Sequence, residues 1–245
     1  MKRFTILFVL CFAVLPIFHS CIIGPLNVVR GNHHIVNEQI TVGDYDEIAL
    51  SVPADVIYRQ ISQDEPFLQV SVDENILEYL NISVQNRRLV IKQKDLVTLR
   101  PSRFVIYTNS RSLSKVSITG SGDVLLENAV NARDMDISIT GSGDIKTDSL
   151  YCENLSASIT GSGDMLLNGA ANNAHYSITG SGDIRAFDYF VENLDCRISG
   201  SGDIRAFVDK TLIARITGSG DIRYKGHPES VDQKVSGSGN ISHVD

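Results

Sequence analysis

The phrase Gly-Ser-Gly-Asp begins at Gly120, Gly141, Gly161, Gly180, Gly200 and Gly218, and a seventh copy at Gly237 ends in Asn240. The intervals between copies are 21, 20, 19, 20, 18 and 19 residues. A phrase returning at a period of about 20 residues marks a stacked repeat, in which each unit buries its apolar side only against its neighbours. Nothing else in the chain restricts the fold as strongly.

One unit reads Ser177-Ile178-Thr179-Gly180-Ser181-Gly182-Asp183-Ile184-Arg185. Period-two alternation puts the isoleucines on one side and the polar residues on the other, on two strands joined by a tight turn. The two glycines read as positive-φ positions of that turn. Asp123, Asp144, Asp164, Asp183, Asp203, Asp221 and Asn240 read as side chains that cap their own turns by accepting from nearby amides.

Superposed copies give apolar columns. Ile118, Ile139, Ile159, Ile178, Ile198, Ile216 and Val235 precede the turn, and Val124, Ile145, Met165, Ile184, Ile204, Ile222 and Ile241 follow it. Two mostly apolar columns lie further upstream, one passing through Tyr176 and Cys196, the other through Leu155 and Leu194. The fold class is therefore all-β, a parallel β-helix (β-solenoid) with about seven regular coils and an irregular N-terminal β section. At a strand spacing of about 4.8 Å, seven coils make a rod roughly 30 Å long. A propeller needs about 40 residues and four strands per blade, twice this period.

The N-terminus carries an address. Lys2-Arg3, the apolar run Phe4 to Leu15 and Ser20 before Cys21 read as a signal peptide over residues 1–20. Phe18-His19-Ser20-Cys21 is similar to a bacterial lipobox, which makes Cys21 the candidate lipidation site and a membrane the partner at that end. The expected address is an exported, outer-membrane-anchored lipoprotein on the cell surface or the periplasmic face. Residues 21–42 read as a tether or a lightly ordered lead-in strand, with His33-His34 solvated in it. Residues 43–115 read as strands punctuated by Pro53, Pro66 and Pro101 that begin and cap the solenoid, and residues 116–243 as the regular repeats.

Removing residues 1–20 leaves 20 Lys+Arg against 29 Asp+Glu, a net charge of −9. With no basic tract, nucleic acid is excluded as a partner. Cys152 and Cys196 stand 44 residues apart, about two coils, in different columns, and read as unpaired thiols.

These phrases, with the Tyr45-Asp46-Glu47-Ile48 opening, resemble the head GIN domain family of putative auto-transporter adhesins, Bacteroidetes-type envelope lipoproteins first catalogued as a domain of unknown function. The resemblance covers about residues 43–243. It implies a β-helix-like envelope protein and brings no catalytic residue and no cofactor.

The residues themselves point away from chemistry. The aspartates recur in every coil, whereas an active site is a local departure from a repeat. Calcium-binding β-rolls repeat every nine residues, and here Lys146, Arg185, Arg205 and Arg223 stand two positions after an Asp on the same face. The reading is a non-catalytic envelope β-helix, an adhesin or binding module presenting polar repeat faces to glycan or protein. The hydroxyl column Thr119, Thr140, Thr160, Thr179, Ser199, Thr217 and Ser236 lies beside the turn, either as part of such a face or simply as a solvated strand edge. Two alternatives stand beside it, a polysaccharide-processing enzyme on the same fold and a periplasmic structural or signalling partner. No metal or cofactor motif is present.

Overall fold

The computed structural model of the chain describes residues 27–62 and 65–245. The signal peptide over 1–20 and Cys21 lie outside the described residues.

Stacked parallel strands make a β-solenoid of about six turns. Before the repeats come β1 (Asn27–Arg30), β2 (Ile35–Gln39), β3 (Glu47–Ser51), β4 (Asp55–Gln60), β5 (Leu68–Asp73), the single-turn helix α1 (Glu74–Leu77), β6 (Leu80–Gln85), β7 (Arg88–Gln93), β8 (Val97–Arg100) and β9 (Phe104–Ser110). The repeats supply β10 (Lys115–Gly120), β11 (Asp123–Asn131), β12 (Asp134–Gly141), β13 (Ile145–Gly161), β14 (Met165–Gly180), β15 (Ile184–Gly200), β16 (Ile204–Gly218), β17 (Ile222–Lys225), β18 (Ser230–Gly237) and β19 (Ile241–His243). All pairings from β10 onward are parallel. Strands β13 to β16 are 15 to 17 residues long because each runs on through bends marked by register shifts.

The columns read from sequence form the core. Ile139, Ile159, Ile178, Ile198 and Ile216 are buried on one face, and Ile145, Met165, Ile184, Ile204 and Ile222 on the other. Sizes compensate along a column. Tyr176 stands in register between Ala157 and Cys196, and Ala214 follows, so one large ring fills space that three small side chains leave. In the last described coil Val231, Gln233 and Val235 occupy core columns and are exposed.

The first coil lies earlier in the chain than the repeats suggest. Strands β3 and β4 pair in register with β10 and β11, so Leu50 stands under Ile118, Val56 under Val124 and Asp55 under Asp123. Val52-Pro53-Ala54 thus occupies the place of Gly-Ser-Gly. Beneath it, β7 continues one face and β9 the other in parallel. Then the polarity reverses: β6 pairs antiparallel with β7, and β5 lies antiparallel between β9 and β2. This antiparallel cap closes the edge that parallel coils would otherwise leave open.

Of the two readings of residues 21–42, tether or lead-in strand, the part described takes the strand. Strand β2 pairs with β5 and β1 pairs with β8. Their anchor is Asp73, a buried carboxylate. Its Oδ1 accepts from the His33 amide (2.8 Å) and the Ser102 hydroxyl (2.7 Å), and its Oδ2 from the amides of Ser102 (2.7 Å) and Arg103 (3.4 Å). Burial raises the Asp73 pKa, but these hydrogen bonds outweigh it and hold the carboxyl below its ordinary value. A Cβ at Gly31 would fall 2.3 Å from Asp73 Oδ2, so the chain can pass this close only as glycine. His33 and His34 are exposed, as read, in the link between β1 and β2, where the His34 ring bonds Glu74 Oε2 at 2.9 Å.

Candidate functional site

At the Gly-Ser-Gly-Asp corner the structure places all fourteen singled-out residues in one continuous ladder. Each first-glycine carbonyl accepts two amides from the next coil: Gly141 O takes Ser162 N (2.8 Å) and Gly163 N (3.2 Å), and the pattern holds from Gly120 to Gly218. The two glycines are required for different reasons, which corrects the expectation that both supply positive φ. Gly161 has φ +131°, closed to most side chains. Gly163 has an ordinary φ, but a Cβ there would stand 2.0 Å from Gly143 O. Val52 and Ala54 are tolerated in the first coil because no Gly-Ser-Gly corner lies beneath them.

The aspartates do not cap their own turns. Asp123 Oδ1 accepts the Asp144 amide (2.8 Å), Asp144 the Asp164 amide (2.8 Å), Asp164 the Asp183 amide (2.9 Å) and Asp183 the Asp203 amide (3.0 Å). Asp203 and Asp221 continue to Asn240 at 2.9 Å each. Each carboxylate fastens the following coil. The outer oxygens meet bases: Arg185 bridges Asp164 Oδ2 (2.8 Å) and Asp183 Oδ2 (3.3 Å), and Arg223 reaches Asp221 Oδ2 (3.0 Å). At Asp123 burial pushes the carboxyl up, the Asp144 amide pulls it down, and repulsion from Asp144 and Asp55 adds to the rise. Among the described residues no three His, Cys, Asp or Glu side chains converge on a metal-sized site.

A second ladder escaped the sequence reading. The Asn154 amide donates to Asp134 Oδ1 (2.6 Å), Asn173 to Asn154 Oδ1 (2.9 Å) and Asn193 to Asn173 Oδ1 (3.1 Å). The signal was an Asx residue one position before the upstream Leu column in four successive coils.

The bend that follows the post-turn apolar column is the variable one. Register shifts fall between Lys146 and Leu150, Leu166 and Asn168, Ala186 and Phe190, and Val191 and Asn193. Outward positions there stack Tyr151, Ala170, Phe190 and Phe207 in one column. Tyr151 is 47% and Phe190 55% exposed, while Phe207 meets Phe190 edge-on with centroids 4.7 Å apart. At small Ala170 the wall is interrupted by a groove of about 510 Å³. Cys152 and Ala171 line its floor, and Asn172, Glu192 and Asp209 its rim. Lys210 Nζ holds Glu192 Oε2 at 2.8 Å. Both Cys152 and Cys196 are free thiols. Cys152 Sγ lies 3.2 Å from the Tyr189 hydroxyl and burial raises its pKa; burial pushes Cys196 up to about 12. Neither is an activated nucleophile.

Residues 44–228 match the family described as "Putative auto-transporter adhesin, head GIN domain". The chain belongs to the head GIN domain family. Solved structures agree in fold and length. A protein from Parabacteroides distasonis described as a putative lipid binding protein is 32% identical, with a TM-score of 0.75, over 89% of this chain and all of its own. A putative adhesin from Bacteroides fragilis is 25% identical, with a TM-score of 0.85, over 88% of this chain and all of its own. A putative adhesin from Parabacteroides merdae is 32% identical, with a TM-score of 0.73, over 89% and all. No curated protein matches. The head GIN chain is thus a β-solenoid of an adhesin-type family, whose members' names describe binding rather than a reaction and whose setting is extracellular or envelope.

Proposed function

We propose that this head GIN protein is a non-catalytic envelope lipoprotein, anchored through Cys21, that displays the sides of its solenoid to a glycan or protein ligand. The observation that carries the reading is the use of the repeated polar groups. Every corner carboxylate from Asp123 to Asp221 is already bonded to the amide of the next coil. The most regular polar element is therefore the spine that holds the rod, and binding falls to the side faces and the variable corner. Beside the spine the hydroxyls of Thr119, Thr140, Thr160, Thr179, Ser199, Thr217 and Ser236 form an exposed edge.

Protease shaving of intact and permeabilised cells tests the display. Digestion on intact cells is the expected result, and protection until permeabilisation would overturn it in favour of an internal partner. Cys21→Ser is expected to abolish metabolic incorporation of labelled palmitate and to release the protein from the membrane fraction. Unchanged incorporation would remove the anchor from the proposal. Release of reducing ends from a polysaccharide panel by the purified chain would overturn the non-catalytic part.

A further inference from the structure

Beyond a general display surface, the variable corner contains one place shaped for a particular occupant. We propose that the groove at Ala170 is a subsite for a single uncharged sugar ring of a glycan chain, held between Tyr151 and Phe190; this rests on the display reading above. In the stacked column the residue between these two aromatics is Ala170, so they stand two strand spacings apart, roughly 9.6 Å. Two carbon–carbon contacts of about 3.5–4.0 Å take up some 7–8 Å of that. The remainder is about 2 Å, the thickness of a puckered saturated ring. Such a ring offers axial C–H groups to the aromatics and equatorial hydroxyls to the open side.

The rim selects the charge of the occupant. Asn172 supplies a donor and an acceptor, and Glu192 and Asp209 supply carboxylate acceptors for hydroxyl donors. The same carboxylates repel sulfated or uronate sugars and phosphate headgroups. Lys210 is already committed to Glu192 and provides no free anion partner. An acyl chain fits less well, because a groove with both walls about half exposed would leave it wet. The placement of aromatic surface supports the same occupant. Among the described residues only three aromatic side chains appear with large exposed apolar area, Tyr107, Tyr151 and Phe190, and two of them flank this groove.

The test uses purified full-length protein and four neutral probes: cellohexaose, maltoheptaose, mannohexaose and N-acetylchitohexaose. Isothermal titration or NMR shift mapping should detect binding of at least one. Tyr151→Ala and Phe190→Ala should each weaken it about tenfold or more. Ala170→Phe should abolish it while the protein melts no lower than the parent, because the new ring completes a column of aromatics. Should Ala170→Phe not fold, Ala170→Leu blocks the same floor. The bound probe should also slow alkylation of Cys152, read on its own peptide by mass spectrometry. Binding of none of the four probes, or binding unchanged by filling Ala170, overturns the subsite. So does attachment to phosphatidylcholine vesicles that the Ala170 variant removes while no sugar binds, which would assign the groove to an acyl chain. Failure here is separable from failure of display: a chain digested on intact cells whose sugar binding ignores Ala170 keeps the display reading and loses this one.

Discussion

Gly163→Ala is the sharpest test of how the solenoid is held. The added methyl would sit 2.0 Å from Gly143 O and 3.0 Å from Ile139 Cγ2, both in the coil beneath. Contacts under 3.0 Å are essentially never shown by real Cβ atoms, so the two coils must part by about 1 Å at this corner. That opening stretches three inter-coil hydrogen bonds: Ser162 N to Gly141 O (2.8 Å), Gly163 N to Gly141 O (3.2 Å) and Asp164 N to Asp144 Oδ1 (2.8 Å). At about 1 kcal/mol each the loss is about 3 kcal/mol. Because the φ of Gly163 is ordinary, alanine also restricts the unfolded chain, which returns about 0.4–1 kcal/mol. The net is a destabilisation of about 2–3 kcal/mol. With a urea m-value of about 3 kcal/mol/M, the unfolding midpoint followed by circular dichroism should fall by nearly 1 M. Position within the stack provides controls. Gly239→Ala meets the same obstruction from Gly220 O, but in the last coil, which can lift away alone, so its effect on the global midpoint should be under about 1 kcal/mol. Ala54→Gly, in the coil with no such corner below it, should cost about 1–2 kcal/mol, from the entropy of a glycine and the loss of one buried methyl. A Gly163→Ala midpoint equal to that of the parent would refute the steric argument.

Three further outcomes follow from individual contacts. Tyr176 is fully buried with no hydrogen-bond partner for its hydroxyl, so Tyr176→Phe should raise stability by about 1 kcal/mol or more in the same urea titration; a loss would mean the hydroxyl is satisfied. Asp164→Ala removes the acceptor for Asp183 N and one partner of Arg185, and should cost about 1–2 kcal/mol, whereas Asp164→Asn keeps a carbonyl oxygen for the amide and should cost less. Equal stability of the alanine variant would dismiss the aspartate spine. Asp73 has a folded pKa below its unfolded value of about 3.9, so its contribution is complete above that pH and is lost as pH falls through the folded value. Below about pH 4 the segment bearing β1 and β2 should therefore loosen before the repeats, read by acid-protease cleavage within residues 27–39. In Asp73→Asn that loosening should already be present at pH 7, and an unaltered acid profile in this variant would remove Asp73 from its role.

The repeat columns were legible because a stack imposes the same requirement on each coil, so Ile178 and Ile184 carry the same information as six other pairs. The first coil was hidden for the converse reason. Val52-Pro53-Ala54 has no Gly-Ser-Gly corner beneath it, and without that pressure no glycine marks it. The partner of each aspartate was ambiguous in one dimension, since a side chain that bonds its own turn and one that bonds the next coil leave the same period of about 20 residues. Only the stacking in space assigns Asp164 to the Asp183 amide. The asparagine ladder was missed because asparagine is ordinarily a turn residue, whereas here Asn154, Asn173 and Asn193 lie within long strands and spend their amides on one another. The groove was invisible because register shifts between Lys146 and Asn193 break the alignment of columns where Tyr151, Ala170 and Phe190 come together.

That last failure has a physical cause which also locates function. At the glycine corner a single methyl cannot be added, so sequence there is confined to one phrase and can carry no specificity. Outward side chains of different size are admitted at the variable corner, where each coil bulges independently and the 18- to 21-residue intervals find their slack. A rod built this way separates its two tasks by geometry. The corner that repeats supplies cohesion through backbone and carboxylate, and the corner that varies is free to place an alanine between two aromatics. Among relatives of this fold, then, differences in ligand should map to the column of Tyr151, Ala170, Phe190 and Phe207 while the glycine corner stays fixed. Exchanging that corner between two solenoids should transfer binding without altering the stack.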